Sequence, residues 1–189
     1  TLPDGSSREY PQGVKGIEVA KSISEGLARN ALAIEVNGEI WDLSRPITKD
    51  ASIKIFTWND KGGKYAFWHS SAHLFAEALE ALYPGVKFGI GPPIENGFYY
   101  DIEMNAKLTD ENLKQIEEKM KEIIKRNLPI IRHEVSRAEA LKIFAERGQN
   151  LKCELIKDIP DGEIISYYTQ GDAFFDLCTG PHVEKTSEL

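Results

Sequence analysis

The segment ALAIEVNGEIWDL, residues 31–43, constrains the fold of this chain more than any other stretch. Apolar and polar residues alternate on both sides of Asn37 and Gly38. An Asn-Gly pair between two alternating segments is the strongest short-range signal for a β-hairpin, because the tight turn needs positive φ at both positions. Two paired strands centred on that turn are therefore expected.

The elements around the hairpin extend this reading. LPDGS is a turn signal between the short extended segments TLP and SREYP, which predicts an opening hairpin. A helix follows, with an apolar stripe of Ile17, Ala20, Ile23 and Leu27 and with Arg29 and Asn30 at its end. SIKIFT supplies a further strand. Two strands, a helix and two or three more strands within residues 1–60 is the order of a β-grasp, ubiquitin-like module. The polar, glycine-containing NDKGGK, residues 59–64, reads as a separator. The fold class is thus α+β: a small β-grasp domain over residues 1–60, then a larger mixed α/β domain over residues 61–189.

The second region opens with a helix. From Tyr65 to Leu82 there is no Pro or Gly, and Phe67, Ser71, Leu74, Ala78 and Leu82 share one face, the mark of an amphipathic helix. His69 and His73 stand four apart on it, so their Cβ atoms are about 5–6 Å apart. Ala72 and Ala76 beside them leave room for a substrate or an ion, and Glu80 extends the polar stripe. Further on, GVKFGIGPPIENGFYYDI predicts a strand, a sharply shaped loop and a second strand. Thr109 caps a long helix striped by Leu113, Ile116, Met120 and Ile123 or Ile124. Ser136 and Glu139 form a capping box for a helix that ends near Gly148. EIISYYT and AFFDL, joined across QGD, predict a hairpin.

That hairpin leads into DLCTGPHV, where Cys178 and His182 are again four apart. Gly180 and Pro181 exclude a regular helix between them, so this pair sits on a turn at a strand's end. HxxxH and CxxxH together gather three of the four histidines and one of the two cysteines. Imidazole is a general base near neutral pH, thiolate a nucleophile, and three nitrogens with one sulfur a tetrahedral zinc shell. A metal centre and a metal-free hydrolase both fit. Ser70 follows His69, so no HExxH protease motif is present. Cys153 reads as a core residue, and Lys152 as exposed unless the fold brings it beside the histidines. Tyr99 and Tyr100 are consecutive in a strand, so at most one of them faces a given site.

Composition bounds the partners. A net charge of −7 argues against a general basic field for nucleic acid. It leaves room for a local groove: the cluster Lys119, Lys121, Lys125, Arg126 and Arg132 could contact phosphates, although a solvated helix face is the expected reading. No apolar run approaches the roughly 18 residues of a membrane span, and TLPDGSSREY lacks the regions of a signal peptide. A cytoplasmic protein with reduced cysteines and no membrane partner is expected.

HSSAHLFAEALEALYP, GIGPPIENGFYYD and DLCTGPHV, in this order, resemble the amino-terminal region of bacterial threonyl-tRNA synthetases. The leading module resembles that family's TGS domain, and residues from position 63 onward its editing domain. Alanyl-tRNA synthetases share the HxxxH and CxxxH logic, but the TGS module and GPPIENGFYYD favour the threonyl family. In that family an aminoacylation core and an anticodon-binding domain follow. The chain ends at Leu189, so the resemblance predicts an editing fragment, monomeric, whose further partners are the remaining synthetase domains of the full-length protein.

The resemblance implies hydrolysis of the ester in seryl-tRNA(Thr), tRNA(Thr) mischarged with serine. A pocket built for threonine discriminates against the smaller serine by only about 10- to 200-fold, so a second site is needed. The family assigns catalysis to His69, His73, Lys152, Cys178 and His182, and substrate binding to Tyr100, Asp176, Gly91 and Pro92. His69 or His73 would activate water, Lys152 or a protonated His182 would stabilise the oxyanion, and Asp176 would attract the substrate ammonium. Cys178 would pack, hydrogen-bond or shape the pocket, with direct nucleophilic attack the disfavoured alternative. No cofactor is expected, with zinc at His69, His73, Cys178 and His182 as the alternative. The rival class is a non-enzymatic module that binds RNA or protein.

Overall fold

In a computed structural model, which describes residues 1–105 and 107–189, the LPDGS turn forms through Leu2 N–H donating to Ser6 O at 2.8 Å. The predicted opening hairpin does not follow it. Thr1 instead lies along a later strand, its carbonyl accepting from Ile53 N–H at 2.9 Å, while Arg8 and Tyr10 of SREYP hydrogen-bond Ser22. The first ladder joins β1 (Val14–Lys15) to β4 (Pro46–Ile47), antiparallel.

The predicted helix is two. α1 (Gly16–Ile23) and α2 (Glu25–Asn30) are divided at Ser24, which is extended and caps α2 by accepting from Leu27 N–H. A side chain that serves an orphan N–H this well ends one helix to begin the next. The NG hairpin is present as read, with Asn37 at φ 51° and Gly38 at φ 90°. It links β2 (Ala31–Val36) to β3 (Glu39–Trp41), and β5 (Ile53–Thr57) pairs with the other edge of β2, all antiparallel. Val19 and Ala20 pack on Ile34, Leu43 and Ile53, which gives the β-grasp core.

α3 (Lys61–Leu82) begins four residues before the predicted start at Tyr65. NDKGGK is not a slack connection. A Cβ on Gly63 would lie 2.0 Å from the Thr57 carbonyl oxygen, and one on Gly62 2.4 Å from the Phe56 ring. The two glycines let the first turn of α3 press against β5. Nor is α3 amphipathic in the expected sense: Ala66, Ala72, Leu74, Ala76 and Leu79 are all buried, so most sides of the helix face protein.

The glycine-proline segment folds as two nested ladders, β6 (Lys87–Phe88) with β9 (Ile102–Glu103), and β7 (Pro93–Ile94) with β8 (Gly97–Phe98). α4 (Asp110–Lys125) starts at Thr109 and buries Ile116 and Ile123. β10 (Ile130–Val135) was not legible, because Ile131 faces solvent and Arg132, His133 and Glu134 follow it. α5 (Arg137–Glu146) begins at the Ser136–Glu139 capping box. α6 (Asn150–Asp158) was also missed; it is short, lacks a side-chain cap and starts two residues after Gly148. β11 (Ile165–Gln170) and β12 (Phe174–Leu177) form the predicted hairpin, and the sheet order is β10-β11-β12, antiparallel throughout.

Leu32 of β2, Phe67 of α3, Ile130 of β10, Tyr168 of β11 and Val183 share one apolar cluster. α3 therefore connects the β-grasp sheet to the second sheet, and its histidines lie at that junction.

Candidate active site

α3 and the segment after β12 bring the two sequence motifs together. The ring centroids of His69 and His182 are 4.2 Å apart, those of His73 and His182 4.3 Å, and those of His69 and His73 5.2 Å. Cys178 Sγ is 3.1 Å from His182 Nε2. All four donor atoms lie within 4.8 Å of one another. The loop after Cys178 is pinned beyond His182 by Ile130 N–H to Glu184 O and by Leu128 N–H to Thr186 Oγ1, each at 2.9 Å.

A cavity of about 440 Å³ opens on this cluster, lined among others by His69, His73, Gly91, Tyr100, Lys152 and Cys178. Pro92 and Asp176 also line it. His182 is the one predicted site residue that does not: it is 1% exposed and stands behind the cavity wall. Wider clefts of about 750 and 620 Å³ lie elsewhere and contain none of these groups.

An ion pair also lines the cavity. α6 carries Lys152 inward, where Nζ donates to Gly89 O at 2.8 Å and lies 2.8 Å from Asp176 Oδ1. Asp176 also accepts a hydrogen bond from the Tyr100 hydroxyl, and its Oδ2 is 3.9 Å from His73 Nε2. Tyr100 reaches it because Gly91 has no side chain; a Cβ there would stand 2.5 Å from the tyrosine ring. Tyr99, its neighbour, is half exposed; the two lie in the link between β8 and β9, not in a strand as read from the sequence.

Electrostatics follow from this geometry. Burial alone would raise the Asp176 pKa, but the Lys152 charge, His73 and the hydrogen bonds from Lys152 and Tyr100 outweigh it, so the carboxyl is held below its ordinary range. Burial lowers His69 to about 4 and His73 to about 3, against the opposing pull of Asp176. Burial, then His69 and His73, hold His182 well below its ordinary value. Burial and the Asp176 charge push the Cys178 thiol well up. At neutral pH the cluster is three neutral imidazoles and a protonated thiol. A protonated His182 is thereby disfavoured as an oxyanion stabiliser, which leaves Lys152 as the cation at the cavity.

Two residues that sequence reading missed organise His182. Ser70 Oγ donates to Ala66 O at 2.8 Å, accepts from Val183 N–H at 3.0 Å, and lies 3.0 Å from His182 Nδ1. Its one proton is spent on Ala66, so His182 Nδ1 carries hydrogen and Nε2 accepts from the Cys178 thiol. Asp42, from the β-grasp region, accepts from His182 N–H at 2.6 Å. Ser70 was noticed only as the residue that breaks HExxH, and Asp42, 140 positions from His182, has no local signal at all.

His69 Nδ1 is different. It is buried and has no hydrogen-bond partner among the described residues, although the Pro181 main chain beside the ring favours its protonated form. A buried unpaired ring nitrogen costs about 1–3 kcal/mol, and it invites a water, a substrate group or an ion. By type, three imidazoles and a thiol are a donor set that could hold zinc.

Residues 1–57 match the TGS domain family, and residues 165–189 match the family described as the threonyl and alanyl tRNA synthetase second additional domain. The second match covers β11, β12 and the CTGPH loop but does not by itself choose between its two namesakes. The threonine–tRNA ligase of Bacteroides fragilis is 53% identical over all of this chain. The chain is related to the amino-terminal region of bacterial threonine–tRNA ligases. Those of Parabacteroides distasonis and Acetivibrio thermocellus are 53% and 51% identical, again over the whole chain. The chain spans about 29% of the length of the Bacteroides and Parabacteroides proteins and 30% of the Acetivibrio one. No helix among the described residues is long and apolar enough to cross a membrane.

Proposed function

We propose that this chain hydrolyses the ester of seryl-tRNA(Thr), as the proofreading region of a threonine–tRNA ligase, with the division at residues 1–60 and 61–189. The observation that carries the reading is His69 Nδ1, a buried ring nitrogen without a hydrogen-bond partner among the described residues, at a cavity that Lys152 also lines. A water held by His69 or His73 is positioned to attack the ester carbonyl. The Lys152 ammonium stabilises the charge that develops on the carbonyl oxygen. Asp176 offers its carboxylate to the seryl ammonium in competition with Lys152. Tyr100, held by Asp176 and backed by Gly91 and Pro92, gives the cavity a stiff wall, and a stiff wall is what lets a site reject threonine's extra methyl. Cys178 shapes the pocket as a neutral thiol.

The reading needs no resident metal. Lys152 already places a positive charge at the cavity. The partners are tRNA(Thr) carrying serine and the further domains of the synthetase; the chain works as a monomer in the cytoplasm.

The deciding assay compares seryl-tRNA(Thr) with threonyl-tRNA(Thr), using the chain and its His73→Ala variant. Deacylation of the seryl ester alone, lost in the variant, is the expected result. Binding of tRNA with equal persistence of both esters would favour a purely RNA-binding module. Stoichiometric zinc in active protein, with activity lost to a chelator and restored by zinc, would overturn the metal-free part. A stable seryl ester on Cys178 in intact-mass spectra would make that thiol the nucleophile.

A further inference from the structure

We propose that Asp42 is a positioning residue for the hydrolytic site, through which the β-grasp region fixes the placement of His182; this rests on the proofreading reading above. Its carboxylate is 95% withdrawn from solvent and spends both oxygens on the second region. Oδ1 accepts from His182 N–H at 2.6 Å, and Oδ2 accepts from the Tyr168 hydroxyl at 2.7 Å. The Tyr168 ring in turn stands 4.4 Å from the His182 ring. Its hydroxyl also occupies the space that a side chain at position 180 would fill, 2.1 Å from a Cβ built on Gly180. One carboxylate thus holds the main chain of His182 and the aromatic wall against which the CTGPH loop turns.

The clamp is anchored at its other end. Asp42 leaves β3 in a turn closed by Arg45 N–H to Asp42 O at 3.2 Å, and the next residue, Leu43, is buried in the β-grasp core. Leu43 O also accepts from Ile17 N–H at 3.2 Å. Successive residues therefore point opposite ways, one into the β-grasp core and one into the histidine loop. General adhesion between two regions calls for apolar contact, and Leu32 with Phe67 already supplies it. A buried carboxylate is costly unless each oxygen is satisfied, and here every partner belongs to the His182 loop or its wall. Asp42 does not line the cavity, so it acts through His182 and not on substrate.

The test uses the full chain with Asp42→Ala and Asp42→Asn. Both are assayed for kcat and KM on seryl-tRNA(Thr), and the His182 amide is followed by NMR in histidine-labelled protein. In Asp42→Ala the amide resonance shifts and exchanges faster, and kcat falls about 10- to 100-fold per folded molecule. KM stays within about twofold, because the substrate-lining groups are untouched. Asn keeps an acceptor for the amide, so Asp42→Asn recovers most of that loss. If Asp42→Ala does not fold, the Asn variant still carries the test through its altered amide shift. An unmoved His182 amide in the variants, or an unchanged kcat in Asp42→Ala, would overturn the proposal. A parent protein without deacylase activity, with the amide shift still present, overturns the activity reading while Asp42 keeps its hold on His182.

Discussion

Lys152 Nζ stands 2.8 Å from Asp176 Oδ1, with only 4% and 7% of the two side chains exposed. The pair joins α6, an element invisible in the sequence, to β12, and it turns the cavity wall into a charged surface of fixed geometry. Removing one partner of a buried pair strands the other, at a cost of about 3–5 kcal/mol. Lys152→Met is therefore expected to destabilise by that order, and Lys152→Met with Asp176→Asn by clearly less than the sum of the two single losses. Urea unfolding of the three variants measures the coupling; additive losses would show that the pair does not act as one unit.

Gly91→Ala probes the same wall at Tyr100, which hydrogen-bonds Asp176. The new Cβ would sit 2.5 Å from the Tyr100 ring, so the tyrosine must retreat from Asp176. Overpacking of this kind costs about 1–3 kcal/mol. Discrimination should suffer more than stability: the ratio of seryl to threonyl ester hydrolysis is expected to fall, measured as kcat/KM on both esters. An unchanged ratio would mean that Tyr100 is not the wall that excludes threonine's methyl.

Ser70→Ala leaves two buried groups, Val183 N–H and His182 Nδ1–H, without their acceptor. An unsatisfied buried donor costs about 1–3 kcal/mol, so a comparable loss in unfolding free energy is expected. The imidazole also becomes free to change tautomer. Nitrogen shifts of the His182 ring report this directly, and a parent protein with the ring proton on Nε2 would refute the assignment to Nδ1.

Acid should unfold this protein early. His69 and His73 titrate near 4 and 3 when folded, against about 6.5 in an unfolded chain. Between those values the unfolded chain binds protons that the folded chain refuses, so stability rises with pH through this window and is lost as pH falls. Above about pH 6.5 the contribution is complete. Each histidine contributes up to about 1.4 kcal/mol per pH unit within the window. Asp176, with its folded pKa depressed, adds a further loss only below about 4, the unfolded value of an aspartate. Tm measured between pH 7.5 and 4.5 should fall, and His73→Gln should shallow the slope. Parallel slopes for parent and variant would mean that His73 is not buried in neutral form.

What was legible in the sequence depended on locality. The Asn37-Gly38 turn, the Thr109 and Ser136 caps and the QGD hairpin are each specified within a few residues, and each forms where it was read. The glycines of NDKGGK were misread because their reason lies in another strand: only the approach of Thr57 and Phe56 shows that they permit packing. β10 was hidden because its apolar alternation breaks: Ile131 faces solvent, while His133 turns in to stack on Tyr167 of β11.

The site divides the same way. Spacing on a helix and on a strand-end turn determined that His69 with His73, and Cys178 with His182, could each address one target, because backbone geometry sets the distance between residues four apart. The sequence also carried the motifs by which the chain is related to threonine–tRNA ligases. Tertiary structure alone decided that the two pairs meet, that Lys152 is drawn in to Asp176, and that Ser70 and Asp42 orient His182. Those contacts join residues up to 140 positions apart. Their cause is burial, which makes an unpaired charge or hydrogen-bonding group expensive and so selects partners by position in space, whatever their distance along the chain.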